Sequence, residues 1–434
     1  AVNLSAAIII ACTTFKRRKL LYITLCLPLV SLFALALSRV ERVDQYFLRK
    51  YYYYYLSTNL KDIFSPNDTL PVVERIRSPY QKIDLVPSPV RAIPVLLMEA
   101  YSDKYEKEPN FPKYINLFIE GDFQVNSNME EVYHEYFAHV PVILHQKIPK
   151  NILVLGAGDG LLNRELLKYP ESRITQVELD PKMAAIAKTN PLLKRMNKGA
   201  LEDPRVEILL EDAFQFLRRD RRLYDAVYID FPNPVSYSLA KLYSKEFFQF
   251  LQRRLSPGGF VAINSAGIGY FKTVNDKGDQ EIDSENTDWP IYYQTLRAAG
   301  FGTILPYISN FETQNDMVEP VLEKIGILQP ASPHVRGDGK EEKLDKETRR
   351  SIITQVSQEQ RSIMQHGFIF AKKETNPVQK KYIDFGITTH VLTEKRFYLA
   401  FAIPFPLPEN RGKVNSIMKP AFPNLPFTYI RLPF

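Results

Sequence analysis

The chain has only two cysteines in 434 residues. Both, Cys12 and Cys26, fall in the apolar amino-terminal region, so neither a disulfide framework nor a cysteine-based metal site is available. Histidine is scarce as well, six in all. His134 and His139 in YHEYFAH superficially suggest a zinc motif, but HExxxH spaces them five positions apart, about 140° around a helix, and they cannot share one ligand face. No metal is expected. Ser236 and Ser244 have no histidine partner in any recognisable nucleophile motif, so a serine hydrolase is not indicated. A net charge of +7 and a pI near 9.0 raise the question of nucleic acid, yet no nucleic-acid-binding motif is present. Several basic residues cluster beside an apolar amino-terminal stretch instead, which makes anionic membrane lipid the simpler partner.

That stretch, Leu20 to Ser38, is uncharged and just long enough to cross a bilayer, with Pro28 tolerable inside it. Lys16 to Lys19 precede it, and the shorter apolar run from Leu4 to Phe15, in a chain beginning at Ala1, reads as the tail of an earlier helix. A signal peptide shares the outline but loses on length and on the missing small-residue cleavage site. A buried core helix is disfavoured because no polar face exists. Tyr51 to Tyr55 suit the membrane interface, where a ring meets lipid and a hydroxyl meets water; a helix lying on the following domain is the alternative. Basic residues flank both ends of the span, so charge asymmetry does not orient it.

The most informative stretch is residues 151 to 170, NILVLGAGDGLLNRELLKYP, which joins a buried-strand pattern, a turn with three glycines and the start of an amphipathic helix. Gly156, Gly158 and Gly160 let the backbone turn sharply and approach a ligand at the helix amino terminus. Asp159 inside the turn would repel a pyrophosphate but suits a cationic cofactor such as a sulfonium nucleoside. Further strands follow, with Glu178 where a doubly wound fold places the acid for ribose hydroxyls, then Asp212 within reach of an adenine amino group, then Asp230. Each acid taken singly could be a helix cap or a solvated loop residue. Four of them at successive strand ends, on the edge where open α/β sheets bind ligands, point to a site.

These motifs carry a resemblance. RSPYQKI, LFIEGDFQ, EEVYHEYFAH, GAGDG, VELDP, ALEDPRV, EDAF, DFPNP, LAKLYSKEFF and SPGG, in that order across residues 72 to 307, resemble the polyamine aminopropyltransferases, the spermidine synthase family, and especially its bacterial membrane-attached branch. The resemblance implies transfer of a propylamine group from decarboxylated S-adenosylmethionine to the amine of a polyamine such as putrescine, releasing methylthioadenosine. Carried over by position, Asp159 would hold the aminopropyl chain, Glu178 the ribose, Asp212 the adenine and Gln124 the nucleoside end. Tyr80, Gln81 and Asp230 would surround the attacking amine. Tyr133, His134 and Glu135 would sit on a helix lining the cofactor pocket, with packing an equally good role. Because decarboxylated S-adenosylmethionine is made in the cytosol, the catalytic domain is expected on the cytoplasmic side of a bacterial inner membrane.

The chemistry agrees with that assignment. A diamine is doubly protonated at neutral pH and only a neutral nitrogen attacks the carbon beside the sulfonium, so a carboxylate must take or steer a proton. Asp230 is the candidate, with Tyr80 orienting the nitrogen and no covalent intermediate required. Three departures from the family pattern concern the acceptor and the turn. Asn233 stands where a second Asp is usual, the strand ending INSAGIGYF offers no acid for a far ammonium, and Ala157 replaces the middle glycine of GGGDG, a change a helical or extended backbone tolerates. Two rivals remain: an S-adenosylmethionine-dependent methyltransferase, and a catalytically reduced scaffold subunit of a membrane complex. Self-association into a homo-oligomer is also left open.

The expected fold class is α/β, a Rossmann-like, methyltransferase-type doubly wound sheet with a small β amino-terminal domain and an amino-terminal transmembrane segment. The boundaries are 1–50 for the anchor, 51–145 for the β-rich domain, 146–373 for the catalytic domain with a charged insertion at 309–365, and 374–434 for a Pro- and aromatic-rich extension that wraps over the domain. Residues 295–308 read as helix then strand, and 366–373 as a closing antiparallel strand.

Overall fold

The computed structural model describes residues 39–52, 72–88, 114–127, 130–234, 236–265, 268, 272–274, 280–282, 288–309, 334–335, 341–342, 366–402, 405, 407–408 and 413–422. The expected span 20–38, the run 4–15, Tyr53 to Tyr55 and most of the insertion 309–365 lie outside them. Among the described residues no helix is long and apolar enough to cross a membrane.

The chain divides between Glu74 and Arg75 into two compact units. The described part of the first holds helix α1 (Val40–Tyr52), which buries Tyr46, Leu48 and Tyr52 while Phe47 and Tyr51 stay exposed. Gln45 ties it locally: its side-chain amide donates to the Val73 carbonyl and accepts from the Val73 N–H.

The second unit opens with an antiparallel sheet in the order β1 (Glu74–Arg77), β2 (Lys82–Ser88), β3 (Tyr114–Ile119) and β4 (Asp122–Asn126). Alternation along β2 and β3 puts Ile83, Leu85, Ile115 and Leu117 on one face. That face packs on Leu161, Met183, Ile186, Leu193 and Met196 of the following αβ layer.

The large sheet takes the strands β5 (Asn151–Gly156), β6 (Arg173–Glu178), β7 (Val206–Leu210), β8 (Tyr224–Asp230), β9 (Leu255–Asn264), β10 (Thr303–Ile308) and β11 (Gly367–Lys372) in the spatial order β10-β11-β9-β8-β5-β6-β7. Strands β5 to β9 are parallel, and β11 is antiparallel to both of its neighbours. The chain leaves β5 toward β6 and β7, then returns to lay β8 on the opposite side of β5. That reversal makes the β5–β8 boundary a topological switch point, where the carboxyl ends of the strands diverge and leave a crevice. The closing strand expected at 366–373 is present, inserted between β9 and β10 so that β10 takes the edge.

Both faces of this sheet are covered, which is why its strands read as unbroken apolar runs. Ile152, Val154, Ala226, Tyr228, Phe260 and Phe368 face one layer and meet Tyr136, Phe137 and Val140 of helix α2 (Glu130–His145). Leu153, Leu155, Val227, Ile229, Val261 and Ile369 face the other, against Phe247 and Leu251 of one helix and Trp289, Tyr292 and Leu296 of another. Helix α2, grouped by sequence with the β-rich segment, therefore packs on the large sheet, with nearly its whole circumference buried, the side chains of Glu130, His134, Glu135 and His139 included.

Pro257 and Gly258 lie within β9, whose pairing with β8 slips between Tyr224 and Ala226, an irregularity that takes up a residue without a ladder N–H. One local expectation, Asp212 at a strand end, fails. The third strand ends at Leu210, two positions short of Asp212.

The described carboxy-terminal residues do wrap over the core. Val391, Leu392, Phe397 and Ala400 join the layer containing α2, and Phe422 joins the other. A short helix, Glu394–Leu399, lies in this extension ahead of its Pro-rich stretches, capped by the Thr393 side chain accepting from the Arg396 N–H.

Candidate active site

At the end of β5 the backbone reverses in contact with β8. Gly156 has φ of 86° and pairs in register with Asp230, and a Cβ on it would stand 2.2 Å from the Asp230 carbonyl oxygen, so no side chain fits. Gly158 is needed for a second reason. A Cβ there would lie 2.7 Å from Glu178 Oε2, so its absence lets the carboxylate of β6 reach the turn. Ala157 corrects the sequence expectation: its φ is 54°, left-handed and neither helical nor extended, which costs a non-glycine residue roughly 1 kcal/mol. The surroundings hold it there. Gln176 Nε2 donates to both the Gly156 and Ala157 carbonyls at 2.9 and 2.8 Å, and Asn163 donates in turn to Gln176 Oε1. Asp159 is partly exposed and accepts from the Leu161 N–H at 2.9 Å, while its carbonyl receives Asn197 Nδ2.

Glu178 closes β6 almost fully buried. Burial pushes its carboxyl up to about 7, against bonds from the Asp180 and Leu179 N–H groups and with help from the nearby charges of Asp180 and Asp159. Asp180 caps the next helix through the Lys182 N–H and accepts Ser78 Oγ at 2.8 Å. Ser78 Oγ also receives the N–H groups of Tyr80 and Gln81. One serine therefore fixes the β1–β2 loop that carries Tyr80 and Gln81 to the strand end that carries Glu178. Tyr80 itself is 54% exposed. Gln124 on β4 is also exposed, its amide donating to the Asp122 carbonyl.

Asp230, last in β8, is the most elaborately held acid. Oδ1 accepts the Tyr133 hydroxyl at 2.5 Å and Asn264 Nδ2 at 3.3 Å. Burial pushes its carboxyl up to about 6, opposed by the Tyr133 bond and reinforced by the charge of Asp159. Burial and then Asp230 drive the Tyr133 phenol well above its ordinary value, so it stays a donor. His366 stands edge-on to the Tyr133 ring at 5.0 Å and is held neutral, burial pushing it down to about 4.

Helix α2 supplies that tyrosine, and the next residues serve other ends. His134 Nδ1 contacts Glu130 at 3.0 Å, and Glu130 in turn takes both Arg164 Nη1 and Nη2. Burial alone would raise Glu130, but Arg164 and His134 hold it down to about 2. Burial lowers His134, and the Glu130 bond and charge more than offset this, so its proton affinity rises. Glu135 accepts three consecutive N–H groups, from His390, Val391 and Leu392. His139 contacts Glu165 and Tyr169. The two histidines thus contact different carboxylates, Glu130 and Glu165, which Arg164 links, and no cluster among the described residues could hold a metal ion.

Because Arg164 is buried between Glu130 and Glu165, Arg164→Leu should destabilise the fold by about 3 kcal/mol, the cost of carboxylates left buried without their cation. Urea unfolding monitored by circular dichroism reads this. The Glu130 contribution has a depressed carboxyl as its source, so it is present above the ordinary carboxylate range and is lost as pH falls through about 2.

Of the residues singled out by sequence, the structure brings Gly156, Gly158, Asp159, Glu178, His134 and Asp230 to one crevice. Asp212 does what a lone Asp after a strand commonly does: it caps the following helix, accepting the Gln215 N–H, with Lys241 3.6 Å away. Asn233 is half-buried in the segment after β8. Sequence reasoning missed Asn264, which closes β9, and His366, which precedes β11, and gave Tyr133 no partner. The one available signal was the polar residue closing the fifth strand.

Comparison with known proteins fits this geometry. Residues 130–310 match the spermine/spermidine synthase domain. The chain is 42% identical over 190 residues to polyamine aminopropyltransferase 1 of Streptomyces coelicolor, covering 44% of this chain and 33% of that protein. It is 32% identical over 251 residues to the polyamine aminopropyltransferase of Oceanobacillus iheyensis, covering 57% of this chain and 48% of that one. The matched segments thus span one third to one half of these relatives' length. A spermidine synthase solved in complex with the transition state analogue AdoDATO shares the fold, with a TM-score of 0.51 at 20% identity over 76% of this chain and 85% of that one. The segment that carries the switch-point acids and the glycine turn is thus the one similar to the spermine/spermidine synthase domain.

Proposed function

We propose that this chain is an aminopropyltransferase that moves an aminopropyl group from decarboxylated S-adenosylmethionine to a polyamine such as putrescine. The reading rests above all on Asp230: a carboxylate at the switch point, raised by its surroundings and bonded on one oxygen by Tyr133 and Asn264, with its other oxygen left to face a reactant. In the reaction the lone pair of a neutral acceptor nitrogen attacks the methylene carbon bonded to sulfur. The C–S bond breaks with its electrons going to sulfur, which leaves as neutral methylthioadenosine, and the proton shed by the amine passes to Asp230. Asp159 would face the cationic chain and Glu178 the ribose. A relative's activity belongs to that relative, so release of methylthioadenosine by this chain, assayed with a panel of amines, is the direct test. No release with any amine would sink the proposal and favour the second reading, a catalytically reduced scaffold, which Asn233 supports by removing a charge from the acceptor side.

The amino-terminal apolar segment 20–38 and the basic residues beside it support attachment to a bilayer, with the catalytic unit facing the cytosol where the donor is made. Partition of the full chain between membrane and soluble fractions tests this.

Asn233→Asp should lower the acceptor KM by about fivefold, the equivalent of ~1 kcal/mol for a restored charge-assisted bond in a half-buried place. The donor KM should not change. Because added negative charge also raises proton affinity nearby, kcat and KM are measured separately across pH.

A further inference from the structure

We infer that Asn264 is an acceptor-recognition residue, its Oδ1 taking a hydrogen bond from the incoming amine while its Nδ2 holds Asp230. This rests on the aminopropyltransferase reading and assigns to its acceptor subsite a residue that the sequence motifs did not supply.

The register places Asn264 beside Asp230. β8 and β9 run parallel with Ile229 opposite Ile263, so the next residue of each strand, Asp230 and Asn264, emerges on the same side at the carboxyl edge. The bond from Asn264 Nδ2 to Asp230 Oδ1 follows from that placement. It also fixes the amide: Nδ2 turned toward the carboxylate leaves Oδ1 pointing elsewhere. Asn264 Oδ1 is a buried acceptor with no hydrogen-bond partner among the described residues. A buried, unsatisfied amide oxygen costs free energy unless something donates to it.

The group best suited to donate is the acceptor nitrogen. It must lie within bonding distance of Asp230 to lose its proton, and Asn264 is bonded to that same carboxylate. Asp230 Oδ1 already receives two donors, Tyr133 Oη and Asn264 Nδ2. The attacking nitrogen is thereby directed to Oδ2, with an N–H left over for Asn264 Oδ1. Two acceptors fix the direction of its lone pair more tightly than one. A neutral amide suits this place better than a second acid would: a carboxylate bonded to Asp230 would raise its proton affinity and keep the amine protonated. The charged and titratable groups already facing Asp230 are Tyr133 and His134 from α2, Asp159 from the glycine turn and Tyr243 from the segment before the next helix.

The test compares Asn264→Leu, Asn264→Asp and wild type, using the full chain, steady-state kinetics with putrescine and the donor, and calorimetry with putrescine in the presence of methylthioadenosine. Asn264→Leu should raise the putrescine KM at least tenfold with the donor KM within twofold of wild type. Asn264→Asp should shift the acid limb of kcat/KM to higher pH by about one unit, which a merely structural role would not do. Thermal unfolding checks that each variant folds, and Asn264→Ala, which removes the amide with less bulk, stands in should Asn264→Leu fail to fold: a putrescine KM raised less than tenfold would then count against the assignment. An unchanged putrescine KM and pH profile in folded variants overturns it. If wild type binds putrescine without turnover, the catalytic reading fails, while loss of that binding in Asn264→Leu still supports the recognition role; absence of putrescine binding to wild type removes both.

Discussion

Asp230→Asn is expected to reduce turnover by about 10²-fold or more while leaving methylthioadenosine affinity close to wild type. The substitution keeps an oxygen for Tyr133 and nearly the same volume, so β8 and the glycine turn that packs on its carbonyl should persist. What disappears is the group proposed to take a proton. The pH dependence carries a sign that can fail. Asp230 is raised to about 6 and acts in its ionised form, so kcat/KM should climb as pH rises through about 6 and the limb should be absent from whatever residual activity Asp230→Asn retains. A wild-type profile flat from pH 5 to 8 would remove Asp230 from the proton-accepting role.

Glu178→Ala should weaken nucleoside binding by about 10²-fold, the loss of charge-assisted bonds to two hydroxyls at a buried site. Glu178 also accepts the Asp180 N–H at 2.7 Å, and Asp180 holds Ser78, so the alanine variant risks loosening the Tyr80 loop. Glu178→Gln retains an acceptor for that N–H and separates the two effects: it should still bind nucleoside at least tenfold more weakly, whereas a purely structural role predicts recovery. Calorimetry with methylthioadenosine measures both variants. Burial raises the Glu178 carboxyl to about 7, so affinity in the wild type should fall as pH drops below about 7. The same shift acts on stability in the opposite direction from the Glu130 effect. A carboxyl raised on folding binds its proton more tightly in the native state, so Glu178 and Asp230 penalise the unliganded fold above about pH 7, and that penalty is relieved as pH falls toward the ordinary carboxylate range.

Such destabilising carboxylates are what a site for two cations requires. Asp159 adds to the proton affinity of both Asp230 and Glu178, so three acids repel one another in one crevice, the charge of His134 offsetting only part of the effect on Asp230. A sulfonium and an ammonium entering that crevice would relieve the repulsion. Arg164, by contrast, is kept one layer back, neutralising Glu130 and Glu165 beneath the helix that presents Tyr133.

Sequence alone determined what depends on local order: the parallel strands that the structure places at 151–156, 173–178 and 224–230, the glycine turn, the acids Glu178 and Asp230 at strand ends, the helix-then-strand read at 295–308 and the antiparallel strand read at 366–373. Each is written in a contiguous run of apolar periodicity broken by glycine or an acid, so a local reading suffices. Tertiary structure alone decided which neighbours those residues acquire. Ala157 is left-handed because Gln176 and the β8 backbone hold the turn from outside it, a constraint no neighbouring residue announces. Asp212 became a helix cap because β7 stops short of it. Tyr133 and Asn264 meet at Asp230, and His366 meets Tyr133, only because α2 crosses the sheet and β11 inserts beside β9, contacts between segments far apart in the chain. Proton affinity follows the same division: an Asp can be read from sequence, but the burial and charges that raise Asp230 to about 6 exist only after distant strands have closed around it.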